Sequence, residues 1–192
     1  MKKVLLLTVN PDETAFSTLL AGAYQKGVEK EFCVAQQVNI SRLQFTNTID
    51  NSGITLRNLE PDLMKVRNLI LDSDHVVFFV EVNTGKFDFK LYTFLNRLFA
   101  IEAGSPIKAL WQPSDFATKT ARIISVLDNE SWKDYQQNGR QITNHPVKKQ
   151  NFQLFGFAAV RTTALGTVKK GVYNDYYWKW YNKMVLLGEK QY

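Results

Sequence analysis

Apolar residues along this chain fall into two kinds of stretch that alternate. Val4 to Val9, His75 to Val80 and Ala121 to Leu127 are short, nearly unbroken apolar runs bounded by turn residues. Runs of that length fit strands buried on both faces. Phe32, Val34, Val38 and Ile40 suit a strand of period two, and Phe157 to Leu165 reads as a further strand. Between these runs the spacing changes to three and four. Phe16, Leu19, Leu20, Ala23, Tyr24 and Val28 predict a helix from Phe16 to Lys30. Glu60-Pro61-Asp62 opens a second, with Leu63, Val66, Leu69 and Ile70 as its buried face. Leu91, Phe94, Leu95, Leu98 and Phe99 mark a third. A fourth is expected over Val147 to Phe155 with Gly156 as its cap. The last starts at a capping Asn174 or Asp175 and runs to Leu187, stopping at Gly188. Ser41 to Leu59, Gly104 to Thr120 and Asp128 to Pro146 read as polar loops.

Five predicted strands alternating with helices imply a parallel sheet with right-handed crossovers, in one domain over residues 1–192. A dinucleotide-type order would need a glycine-rich turn after the first strand. The turn here is Asn10-Pro11-Asp12-Glu13-Thr14-Ala15, without glycine. The remaining solution is a flavodoxin-like α/β three-layer sandwich with strand order 2-1-3-4-5, whose ligand sits at the carboxyl ends of the strands.

Composition narrows the setting. Hydrophobic residues make up 45% and aromatics 13%, enough for a real core. No apolar run approaches the roughly 20 residues that span a bilayer, so membrane insertion is not expected. The opening apolar run stops at Val9 without a small-residue cleavage site, so it reads as a buried strand rather than a leader. Cys33 is the one cysteine, which rules out an internal disulfide and points to a cytoplasmic setting. With two histidines it also falls short of an ordinary zinc set, so no metal is expected. The net charge of +6 comes from lysines scattered between apolar stretches. That pattern reads as a solvated face, not a nucleic-acid footprint.

In this topology the loops after strands one, three and four line the ligand crevice. These are Asn10 to Ala15, Glu81 to Lys90, and Asp128 to Pro146. At the start of the first helix, backbone N–H groups with Ser17 and Thr18 can hold a phosphate. Equally, Thr14 or Ser17 can simply cap that helix, and Asp12 and Glu13 add unwelcome negative charge. In the second loop, Gly85 of Asn83-Thr84-Gly85-Lys86 permits close approach to a planar ligand. Phe87 and Phe89 offer an apolar wall or part of the core, and Glu81 is awkward there unless Lys86 offsets it. In the third loop, Trp132 or Tyr135 can stack on a ring. Tyr135 and His145 are candidate acid/base groups, although His145 beside a proline also reads as a surface residue. The aromatic crowd Tyr173, Tyr176, Tyr177, Trp178, Trp180 and Tyr181 exceeds what one buried helix face needs and suits a subunit interface.

Further segments carry a resemblance. They are Ala121 to Asp128 with Trp132 following, Phe155-Gly156-Phe157, Leu165-Gly166-Thr167-Val168-Lys169, Leu59 to Asp62, Phe94 to Arg97, and Asn10-Pro11 followed by Phe16-Ser17. In this order, and over nearly the whole chain, the sequence resembles the flavodoxin-like NAD(P)H dehydrogenase (quinone) family, which includes small bacterial NAD(P)H oxidoreductases. The resemblance implies a homodimeric enzyme that passes a hydride from NAD(P)H to a flavin and on to a small quinone-like acceptor. FMN is favoured over FAD, because the chain is short and shows no evident adenosine site. Flavin contacts carried over by the resemblance are Asn10, Phe16, Ser17, Thr18, Val82, Asn83, Thr84, Gly85, Lys86, Leu127, Asp128 and Trp132. Departures fall in the same loops. Glu81-Val82-Asn83-Thr84-Gly85 stands where the family commonly has Pro-Leu-Trp-Trp-Gly, and Asn10 stands for a histidine. Those departures keep open an alternative, a non-catalytic, dimeric binding or regulatory protein on the same scaffold that has lost flavin.

Overall fold

The computed structural model describes residues 1–46, 57–83, 86–99, 110–137, 152–153 and 155–191. Most of the helix expected over 147–155 lies outside them. In chain order the elements are β1 (Lys3–Thr8), α1 (Phe16–Lys30), β2 (Val34–Asn39), α2 (Pro61–Asp72), β3 (His75–Asn83), β4 (Lys86–Phe87), α3 (Phe89–Phe99), β5 (Thr120–Leu127), α4 (Asn129–Gln137), β6 (Ala159–Gly166) and α5 (Asp175–Lys190). The sheet runs β2-β1-β3-β5-β6 with these five strands parallel, which is the expected 2-1-3-4-5 order. The addition is β4, a two-residue strand antiparallel to the end of β3.

Alternation along the strands builds a separate core on each face. Leu5, Leu7, Val76, Phe78, Val80, Ala121 and Ile123 face α2 and α3. There they meet an aromatic cluster in which Trp111 stacks on Phe99 at 5.5 Å and donates its Nε1–H to the Leu98 carbonyl. Val4, Leu6, Val77, Phe79, Ile124 and Val126 face α1 and α5. Both layers are needed because a parallel sheet has no face it can leave to water.

Four expectations are corrected. Phe32 is not a strand residue. It sits in the turn after α1 at φ 55°, its side chain 87% exposed, and β2 begins at Val34 as a largely exposed edge strand. β3 runs three residues beyond Val80, so the expected loop from Glu81 opens as strand. The stretch from Asp128 is not all loop: Asp128 accepts the Ser131 N–H at 2.8 Å and caps α4. Gly188 does not end the last helix, which continues to Lys190. It lies at the crossing of α5 with α1. A β-carbon there would fall 2.1 Å from the Tyr24 carbonyl oxygen, and one at Gly27 would fall 2.0 Å from that of Val185. The two helices touch backbone to backbone at this point, and Lys30–Glu189 closes the contact at 2.9 Å.

A polar cluster lies under α1 at the other end of the sheet from the β1–α1 loop. His75 is hydrogen-bonded to Tyr24 Oη at 3.1 Å and to Thr120 Oγ1 at 2.7 Å, with Arg122 beside it on β5. Burial, reinforced by the Arg122 charge, pushes His75 down from 6.5 to about 4. Burial likewise pushes the Tyr24 hydroxyl up to about 12.

Two outcomes are expected. Gly27→Ala and Gly188→Ala should each cost on the order of 3 kcal/mol in denaturant unfolding, since backbone must move. Gly22→Ala, with nothing within 4 Å of the added carbon, should be neutral or gain up to about 1 kcal/mol. His75 has a folded pKa below its unfolded one, so the unfolded chain takes the proton first. The stability tied to its neutral form should be complete above about pH 6.5 and decline by ~3 kcal/mol as pH falls to about 4. His75→Gln should flatten that slope in urea titrations; an unchanged slope would assign the loss to other groups.

Candidate functional site

Parallel strands bring the β1–α1 loop, the end of β3 and the β5–α4 junction to one edge of the sheet, as expected. The Asp128 N–H bonds the Val82 carbonyl at 2.9 Å, and the Thr167 N–H bonds that of Leu127 at 2.7 Å, which ties the ends of β3, β5 and β6 together.

The start of α1 has no side-chain cap. Its N-cap is Ala15, and neither candidate cap serves: Thr14 turns back to Asp12, and Ser17 reaches elsewhere. What it reaches is Glu81. On β3 the residues facing α1 alternate as His75, Val77, Phe79 and then Glu81, so the three-residue extension of the strand carries a carboxylate beneath the first turn of α1. Glu81 Oε1 accepts from the buried Ser17 hydroxyl, and Oε2 accepts from Asn10 Nδ2 at 2.7 Å. The other side of Asn10 accepts the Asp12 N–H at 2.9 Å, and Asn39 Nδ2 donates to the Asn10 carbonyl at 2.8 Å. Thr18 Oγ1 donates to the Asp12 carbonyl at 3.1 Å. Asp12 takes both the N–H and the hydroxyl of Thr14 and meets Lys170 at 3.2 Å; these bonds, the Thr14 hydroxyl's first, hold its carboxyl down to about 2. Glu13 is paired with Arg42 at 2.5 Å.

The carried-over residues divide accordingly. Asn10, Ser17 and Thr18 meet at the loop, but with their side chains already engaged. Phe16 is packed in the α1-face core against Tyr177, with ring centroids 5.7 Å apart. Val82 and Leu127 are fully buried. Asn83 is exposed at the edge, in register with Lys86. Asp128 caps α4. Trp132 and Tyr135 stack on each other at 5.4 Å and 13°. Thr84, Gly85 and His145 lie outside the described residues.

A phosphate dianion at this loop needs free donors and a positive surrounding field. The described residues offer the unbonded first-turn geometry of α1 but bring Asp12, Glu13 and Glu81 around it, with the side-chain donors committed. As folded, the loop does not fit a tightly held phosphate.

Sequence reasoning missed a cleft of about 350 Å³ one strand further along, where α4 begins and β6 ends. Trp132 forms one wall by lying flat over Gly166, where an added β-carbon would come within 3.1 Å of the indole. Tyr176 forms another, its hydroxyl accepting the Gly166 N–H at 2.8 Å. Thr167, Lys169 and Asn129 supply polar lining. The readable signal was Gly166 at the end of a strand, followed by Thr167 to Lys170 and then the aromatic residues of α5.

No family model matches the chain, and no curated protein does. Solved structures match over its full length. An NAD(P)H:quinone oxidoreductase from Methanothermobacter marburgensis is 14% identical with a TM-score of 0.75, covering 98% of this chain and 94% of that one. Smu.1420 from Streptococcus mutans UA159 is 18% identical with a TM-score of 0.72, over 98% and 99% of the two chains. An FMN-dependent NADH-azoreductase from Bacillus anthracis str. Ames Ancestor, solved with FMN, is 10% identical with a TM-score of 0.66, over 99% of both. The flavodoxin-like fold is thus shared with NAD(P)H quinone oxidoreductases and FMN-dependent azoreductases.

Tyr176→Phe removes the partner of the Gly166 N–H. It should cost about 1–2 kcal/mol in denaturant unfolding, and a loss of less than a few tenths would show that the amide is satisfied without it.

Proposed function

We propose that this protein is a flavin-dependent NAD(P)H oxidoreductase that reduces small quinone-like acceptors by two-electron transfer. The observation that carries the proposal is the meeting of the β1–α1 loop, the β3 end and the β5–α4 junction at one carboxyl edge, on a scaffold superposable over its whole length with structures named as such oxidoreductases. A bound flavin would supply the redox chemistry by taking a hydride from NAD(P)H and delivering it to the acceptor. The chain's part is to bind and orient. The backbone at the end of β3 and the start of α4 forms the floor, and Trp132 with Tyr135 shapes the side toward β6. FMN is the flavin favoured, with FAD as the alternative. Because the phosphate arm meets committed donors and carboxylates, the flavin is one held loosely, mainly through its ring, and exchanged during purification. We place Tyr135 and His145 as the groups to test for proton delivery to the acceptor. We also propose a cytoplasmic homodimer. The face for the second copy is the outer side of α5 and the segment before it, where Tyr173 and Trp178 are about half exposed and Val172 and Leu186 are uncovered as well. No helix among the described residues is long and apolar enough to cross a membrane.

One observation favours a second reading. The tie of Glu81 to Asn10 and Ser17 closes the phosphate arm internally, as a non-catalytic, dimeric binding or regulatory protein on this scaffold would allow.

Purified protein should oxidise NADH or NADPH with menadione as acceptor, and the rate should depend on added FMN or FAD. A protein that takes up neither flavin and oxidises neither nucleotide, yet sediments as a dimer, would establish the second reading in its place.

A further inference from the structure

The unusual feature of the edge is a part-buried carboxylate aimed at the start of a helix. Acceptors in such a place normally come from a cap residue on the helix's own chain segment. Here Ala15 supplies none, and the acceptor arrives from the central strand. Glu81 is held at three points: by the Ser17 hydroxyl, by Asn10 Nδ2, and by its backbone, in register with Val126 of β5. The strand fixes its Cα, and the two hydrogen bonds orient its carboxylate toward the start of α1. The carboxylate therefore takes the place in the field of α1 that the negative tail of a ligand would otherwise fill.

We infer that Glu81 is a specificity-determining residue: an internal anion that occupies the donors of Asn10 and Ser17 and cancels the advantage a phosphorylated flavin would have over an unphosphorylated one. The inference rests on the flavin reading for its ligand, and on the Glu81 contacts alone for its physics. Among the described residues, the cations of the β1–α1 loop region have other partners. Lys170 and Arg42 are engaged with Asp12 and Glu13. Phosphorylation of the flavin should accordingly gain little in the natural protein. Replacing Glu81 by the neutral isostere leaves Ser17 an acceptor and removes the repulsion, so the tail should then gain affinity from the helix start.

The test compares Glu81→Gln with the natural protein in two titrations, after unfolding midpoints confirm that the variant folds. In the first, FMN and riboflavin are titrated by fluorescence quenching. The natural protein should bind the two within about threefold of each other, whereas the variant should prefer FMN by about tenfold or more, one decade being a modest return for a removed like charge. In the second, inorganic phosphate is titrated against the amide signals of Ser17 and Thr18. These should shift saturably in the variant and stay still in the natural protein. If FMN and riboflavin tighten together, or neither preference moves, Glu81 acts on the ring or not at all, and the inference is overturned. It is overturned also if phosphate moves the natural protein's amides as readily as the variant's, or if it moves neither protein's. Saturable phosphate shifts confined to the variant, with no flavin bound by either protein, would uphold the role of Glu81 and bring down the flavin reading instead.

Discussion

Much in this molecule leans on β3, the middle strand, which like its neighbours β1 and β5 must satisfy both cores at once. It pairs with β1 on one side and β5 on the other, and its side chains alternate strictly between the α2/α3 layer and the α1/α5 layer. A slip of one residue would send Phe78 and Val80 into the wrong layer and drive His75 and Glu81 into an aromatic core. Both polar residues therefore lie on the α1 side, one at each end of the strand. At the amino end, Tyr24 and Thr120 hydrogen-bond the imidazole, while burial and the Arg122 charge keep it neutral. At the carboxyl end, Asn10 and Ser17 meet the carboxylate. The strand's polar ends, through Tyr24 and Ser17, meet α1 as well as its apolar middle does.

The sequence was legible wherever burial is two-sided or strongly one-sided. β1, β5 and the whole of α1 follow from uninterrupted runs or a clean stripe. Three failures share a cause, which is that local pattern does not report what the partner surface is. α4 (Asn-Glu-Ser-Trp-Lys-Asp-Tyr-Gln-Gln) offers only Trp132 and Tyr135 as apolar positions, because it leans on the sheet through one half-buried stacked pair and the buried Ser131 and leaves most of the rest to water. Its readable mark was Asp128 three residues before Ser131. Gly188 looked like a terminator because glycine commonly ends helices; the reason for it sits on α1, 161 positions earlier at Gly27. Phe32 looked like strand because it is aromatic, but the chain needs a left-handed residue to leave α1, and the side chain ends in solvent.

At the ligand edge, the sequence located the loops and flagged Glu81 as out of keeping, but it could not say how the carboxylate would be accommodated. That depended on β3 continuing past Val80, since only an added stretch of strand turns residue 81 toward α1. The cleft beside β6 was invisible for a similar reason. It exists because Trp132 lies flat on a glycine of a different strand and Tyr176 of α5 bonds that glycine's backbone, a meeting of three segments distant in the chain.

The crossing of α1 and α5 carries a consequence for how this protein can change over generations. Gly27 and Gly188 press into each other's helix from opposite sides, and a methyl group on either forces the same separation. Once the helices have parted to admit one, the second meets room already made, so the two losses do not add. A lineage that gives up one of these glycines has little left to keep the other. Descendants should divide into a tight form holding both and a spread form holding neither, with single holders a brief passage between them.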